Sequence, residues 1–174
     1  VTFMDYGLHR VPGKMTPALQ EILDGIEEPS VVMLGYGLCG NGLKGLRAGK
    51  HYLLVPRVDD CIALFLGSRA EHRRRLSEEP GTYFLTKGWV EAADLPYHEY
   101  LRMVERFGEE RARRLSRVML ANYTRVMLID TGNYRVEEYR EFARRMADLF
   151  ELGYEEVRGS NRMLTGLLDG AWGE

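Results

Sequence analysis

Short apolar runs alternate along this chain with longer segments whose apolar residues recur at helical spacing. VTFMDY (1–6), SVVMLG (30–35), HYLLVP (51–56), GTYFLT (81–86), TRVMLID (124–130) and the weaker EEVR (155–158) read as strands. SVVMLG is apolar enough to predict a strand buried on both faces.

The intervening segments predict helices. TPALQEILDGI opens with Thr16 as N-cap and Pro17 in the first turn, and carries Leu19, Ile22, Leu23 and Ile26 as an apolar stripe. NGLKGLRAG reads as a short helix, and CIALFLGSRAEHRRRL as a single helix that begins apolar and ends basic, as the helix dipole favours. A long helical stretch spans 98–123, with Gly108 placed to break or bend it. VEEYREFARRMADLF turns Val136, Tyr139, Phe142, Met146 and Leu149 inward and is closed by Gly153, and NRMLTGLLDG is the last helix.

Strand and helix in alternation predict an α/β fold, a three-layer sandwich around a mainly parallel, doubly wound sheet, with residues 1–174 as one domain. Val1 in place of a start methionine, and GAWGE ending just after a helix, lead us to expect that both ends are trimmed. In such sheets ligands bind outside the carboxyl ends of the strands. The loops there (LHR, YGLCGNG, RVDDC, TKGW, DTGNY, RGSN) are polar or rich in glycine, which predicts a rim carrying His9, Cys39, Cys61, Thr86, Trp89, Asp130 and Ser160.

The two cysteines are the most chemically pointed residues on that rim. Each lies where a helix is predicted to start, and exposed N–H groups there favour a thiolate. Asp59 and Asp60 oppose this, because a neighbouring negative charge raises a thiol's pKa. With His9 the pair would form a Cys₂His set around an open position, suited to zinc, iron or cobalt. The competing reading makes the cysteines small buried hydrophobes and His9 a surface residue. Gly37, Gly40 and Gly42 allow close backbone approach, and the N–H groups near Asn41 can hold an anion; the same residues also suit a tight turn with Asn41 as N-cap. GYGLCGNG is no dinucleotide fingerprint, since its glycines fall early and Arg57 and Val58 occupy the turn after the next strand where an acidic residue is needed. No phosphate loop of the GxxxxGK[ST] type is present. Trp89 can cover a sheet edge, and Asp130 and Asn133 can cap the next helix or turn.

Composition narrows the classes. A net charge of −2 and a pI near 6.2 give no basic footprint for nucleic acid, and HRRRL followed by SEE reads as a solvated helix face. Two cysteines without a disulfide framework, no secretory signal and no apolar run long enough for a membrane span predict a cytoplasmic protein in a reducing compartment.

YGLHRVP, VVMLGYGLCGNGLKGLRAG, LLVPRVDDCIALFLGS and PGTYFLTKGW together resemble a family of prokaryotic proteins of unknown function, domain-of-unknown-function family sixteen thirty-eight. The resemblance spans almost the whole chain and puts His9, Cys39, Asn41, Asp60, Cys61, Gly67, Ser68, Tyr83, Thr86 and Trp89 at motif positions. It implies longer ends than this chain has and, because members often occur near corrinoid-dependent methyltransferases, a role in one-carbon metabolism. The resulting expectation is a metal- or cofactor-binding protein with His9, Cys39 and Cys61 as metal ligands and Gly37, Gly40, Asn41, Asp60, Ser68, Thr86 and Trp89 around a cofactor, a corrinoid among the candidates. A metal-free thiol/disulfide enzyme or sensor, and a non-catalytic partner of a corrinoid protein, are the alternatives. The ligand is then a small molecule or a corrinoid protein, not a nucleic acid or a membrane.

Overall fold

The structure, a computed structural model, describes residues 1–5, 8, 11–39, 41–92 and 95–171. Its elements in chain order are α1 (Pro12–Asp24), β1 (Val31–Met33), β2 (Tyr52–Leu54), α2 (Cys61–Leu66), α3 (Arg69–Glu78), β3 (Thr82–Leu85), α4 (Lys87–Glu91), α5 (Pro96–Phe107), α6 (Glu109–Met119), β4 (Arg125–Asp130), α7 (Glu137–Leu149), β5 (Gly153–Arg158) and α8 (Arg162–Asp169). Helices alternate with strands that pair only in parallel among the described residues, so the fold is α/β. The chain forms two compact units, one of Val1–Arg69 with Ser160–Glu174 and one of Ala70–Gly159, and each has its own sheet.

In the first unit β1 pairs with β2, Val31 opposite Tyr52 and Met33 opposite Leu54. One face carries Val32, which packs with Met15, Leu19 and Leu34. The other leaves Val31 and Met33 exposed, so the expectation of a strand buried on both faces fails. The sheet has two strands, and α1 is the helix packed against this cluster. Met15, Leu19 and Leu23 recur at four-residue spacing and are each buried, while Ile22 points outward. α1 begins four residues earlier than Thr16, with a proline at its start where the missing N–H is no loss. Thr16 is therefore no N-cap; its hydroxyl donates to the Gly42 carbonyl (2.6 Å) instead, and Pro17 lies inside the helix.

Three further readings change. Val1–Asp5 form no strand, and 41–45 is a run of turns followed by irregular chain, with Gly45 and Gly49 at positive φ, so NGLKGLRAG makes no helix. The single helix read over CIALFLGSRAEHRRRL divides at Gly67, whose φ of +73° only glycine adopts cheaply. A Cβ there would also meet the Ser160 Cβ at 2.6 Å, because the returning chain passes close by: Ser160 N–H donates to the Phe65 carbonyl (2.8 Å) and Arg162 Nε to that of Gly67 (3.3 Å). α8 then packs Met163 and Leu164 against Val58, Ala63 and Leu64.

In the second unit the strand order is β3-β4-β5. Val126, Met127, Leu128 and Ile129 of the central strand have no exposed surface, which is what a four-residue apolar run in a parallel sheet requires. Tyr139, Ala143, Met146 and Ala147 of α7 close over Val126, Leu128 and Leu85. α7 ends before Gly153: Glu151 takes the left-handed conformation (φ +59°) and Gly153 already belongs to β5. The stretch 98–123 breaks at Gly108 as expected, into α5 and α6, which pack through Tyr100, Met103 and Ala112. Among the described residues no helix is long and apolar enough to cross a membrane.

The contrast between the two sheets is measurable. Leu128→Ala should cost about 2–5 kcal/mol of unfolding free energy, as large-to-small changes in a packed core do. Val31→Ala, on the uncovered face, should change it by less than about 0.5 kcal/mol. Urea denaturation of the two variants compares them, and an equal loss would mean that β1 is buried after all.

Candidate functional site

Parallel pairing carries the two cysteines to the same place. Met33 and Leu54 are register partners at the strand ends, and Cys39 lies six residues beyond the one, Cys61 seven beyond the other. The two runs stay joined past the sheet: Leu38 N–H donates to the Val58 carbonyl (3.1 Å) and Cys39 N–H to that of Asp59 (3.0 Å). Gly37 makes this approach possible, since a Cβ on it would lie 2.5 Å from the Asp60 carbonyl carbon. On the other side, the turn is held to α1 through Thr16 and through Gly42, whose missing Cβ leaves room for the Met15 sulfur. Cys39 adopts φ +41° and Asn41 φ +67°, so this turn uses the left-handed region twice in three residues without glycine.

Asp60 starts α2. Its backbone is extended (φ −148°, ψ 174°) and its Oδ1 accepts the Ile62 N–H at 2.8 Å, which makes it the N-cap and Cys61 the first helical residue. Asp59 is exposed and meets the Arg69 guanidinium at 3.5 Å.

The side chains of Cys39 and Cys61 interact, and this interaction dominates the acidity of both. It lowers Cys39 to about 7, helped by the N–H groups of Cys61 and Gly37 and opposed by partial burial and the Asp60 charge. It raises Cys61 far above the ordinary thiol range, with burial and the negative charges of Cys39 and Asp60 adding to the same effect. The expectation that both thiols favour the thiolate is thus corrected: once one of two interacting thiols loses its proton, its negative charge makes the second proton harder to remove. Both cysteines are free thiols of intermediate exposure, so neither is sealed in a core.

The remaining expected residues divide. Gly37, Asn41 and Ser68 lie in the first unit with the thiols, Ser68 between α2 and α3 and Asn41 exposed in its turn. Thr86 and Trp89 belong to the second unit, at the start of α4, where Thr86 is buried at the N-cap position without a side-chain capping bond and Trp89 packs against the core under α7. Asp130 is in that unit too; its carboxylate accepts the Gly132 N–H (2.8 Å) and pairs with Arg158 (2.6 Å), a turn-stabilising role. His9 and Gly40 lie outside the described residues. Among the described residues no three His, Cys, Asp or Glu side chains gather as a metal cluster, so the thiols stand as a pair. The sequence reading missed that the two cysteine turns are joined by backbone hydrogen bonds and that the thiols differ in acidity. The available signal was the nearly equal run from each strand end to its cysteine.

Fold and geometry together define an α/β protein with a paired-thiol site beyond the ends of two parallel strands. The chain matches the family model described as "Protein of unknown function (DUF1638)" over residues 3–168 and belongs to that family. No curated protein and no solved structure matches it.

The electrostatics yield opposite predictions for two variants. Native protein should be alkylated by iodoacetamide at one thiol, Cys39, with a rate that rises through pH 7 as its proton leaves, because the thiolate is the nucleophile. Removing the partner thiol in Cys61→Ala should move that midpoint up. Asp60→Asn keeps a cap of similar strength, so stability should change by less than about 0.5 kcal/mol, while loss of its negative charge moves the midpoint down. Midpoints that shift together, or a Cys61 that reacts first, would contradict this assignment.

Proposed function

We propose that this protein binds a soft metal ion, or the metal of a cofactor, through the sulfurs of Cys39 and Cys61. The observation that supports it is the convergence of the two cysteine turns: backbone hydrogen bonds from Leu38 to Val58 and from Cys39 to Asp59 hold two soft donors together as free thiols, and the pKa of Cys39 is pulled down to about 7. A thiophilic ion entering there takes the place of the one proton the pair still holds, which relieves the penalty that Asp60 and burial place on the Cys61 thiolate. Bound metal would supply Lewis acidity or an activated thiolate. Zinc, iron and cobalt all accept such ligands, and His9 is the third ligand this reading adopts. Corrinoid-linked methyl transfer is the setting that the family resemblance offers.

A second reading has its own support. As two free thiols of intermediate exposure and unequal acidity, the pair also suits metal-free dithiol chemistry. There Cys39 attacks a disulfide or a peroxide, Cys61 closes the Cys39–Cys61 bond, and two electrons and two protons pass to the oxidant. As a third possibility, the same turns would serve as a docking surface for a corrinoid protein without chemistry of their own.

Metal analysis by mass spectrometry on protein purified without oxygen separates these readings. The first predicts about one metal ion per chain, lost in both Cys39→Ser and Cys61→Ser because one thiolate is too few soft ligands, and reduced in His9→Ala. Metal retained in both serine variants would exclude the thiols as ligands. Metal-free protein that takes up two oxidising equivalents and loses both free thiols would establish the second reading instead. Metal-free, redox-inert protein that co-purifies with a corrinoid protein would leave the third.

A further inference from the structure

We propose that a cavity at the amino-terminal end of the second unit's sheet binds a small organic carboxylate bearing a hydroxyl group. The cavity has a volume of about 190 Å³ and is enclosed by α6, the turn leading into β4 and the end of α7. At about 30 Å³ per liquid water it has room for about six waters, which suits one ring with its substituents and falls below the roughly 300 Å³ where sites for drug-sized ligands begin.

Its chemistry changes with depth. Tyr100 and Leu120 are buried, and Tyr100 meets the Phe150 ring edge to face (centroids 6.0 Å apart, 89°), so the walls are apolar and aromatic. Among them lies Ser116, 3% exposed, whose Oγ makes no hydrogen bond among the described residues. A helical serine ordinarily satisfies its hydroxyl on the carbonyl a turn earlier; left unpaired in an apolar wall, it is a polar group in want of a partner. At the mouth stand Arg113 and Arg117, four residues apart on α6 and on either side of Ser116. Arg117 holds the Glu151 carboxylate at 2.7 Å. Glu151 does so from a left-handed backbone position (φ +59°), just after a helix, where glycine is the ordinary choice. A carboxylate is thus kept on Arg117 in spite of an unfavourable conformation, and it marks where the carboxylate of a ligand would sit.

The ligand class follows from these three layers: an acid group to replace Glu151 on Arg117, an apolar body against Tyr100 and Leu120, and a hydroxyl to pair with Ser116. This site is independent of the thiol pair, and its test does not depend on metal or redox state. The probes are 4-hydroxybenzoate, benzoate and benzamide, titrated into the full chain and followed by calorimetry or by chemical-shift changes. 4-Hydroxybenzoate should bind saturably and about tenfold more tightly than benzoate, the gain of one satisfied buried hydrogen bond. Benzamide, which lacks the charge, should bind about tenfold more weakly than benzoate. Ser116→Ala, a change that a helix tolerates, should abolish the preference for the hydroxylated acid and leave benzoate binding as it was. Arg117→Met should weaken both acids about tenfold, and Glu151→Gln should strengthen both by freeing Arg117. The proposal is overturned by an absence of saturable binding, by benzamide matching benzoate, or by a hydroxyl preference that survives Ser116→Ala.

Discussion

Two backbone hydrogen bonds, from Leu38 to Val58 and from Cys39 to Asp59, prolong the contact between β1 and β2 beyond the point where their ladder ends. Each is worth only about 1 kcal/mol, yet the geometry of the thiols hangs on them. They bring one turn so close to the other that only a glycine fits at position 37, and they fix Cys39 in an unusual conformation over the first residue of α2. Without that clamp the sulfurs would lie on two independent loops, each with an ordinary thiol acidity.

The clamp needs a rigid base, and a sheet of two short strands is a weak one. The first unit makes up the difference with helices. α1 covers one face through Met15 and Leu19, and its Thr16 side chain grips the cysteine turn directly. α2, which carries Cys61, is held from the far end of the sequence: the chain leaves after Arg69, builds a whole second sheet, and comes back at Ser160 to seat α8 against Ala63 and Leu64. The thiol pair is thus secured by residues that are about a hundred positions away in sequence.

Where one local signal dominated, the fold could be read from the sequence. TYFL, RVMLID and the helix that packs on them were legible because a continuous apolar run and a helical stripe leave few alternatives. Gly108 announced its break. The failures lie where backbone and tertiary demands outweigh pattern. VTFMDY has strand composition without a strand among its described residues; NGLKGLRAG has helical spacing, but glycines at positive φ defeat it. Gly67 interrupts a helix whose apolar and basic residues look continuous, because the returning chain at Ser160 occupies the space a side chain would need. Of the site, the sequence showed the two cysteines and their glycine-rich turn. It could not show that one thiol would be the more acidic, which depends on contact between segments 22 residues apart. The cavity beside Ser116 left still less trace, since an unpaired hydroxyl is a property of packing.

The wholly buried run Val126–Ile129 carries a consequence for time. β4 bonds to a strand on each side and lies beneath α7, so its amides reach water only when the second unit opens as a whole. Their hydrogen exchange therefore reports the global opening of that unit, whereas amides of β1, in a two-stranded ladder with an uncovered face, exchange through smaller fluctuations. One exchange experiment on the intact chain would thus time separately the unit that holds the thiols and the unit that holds the cavity.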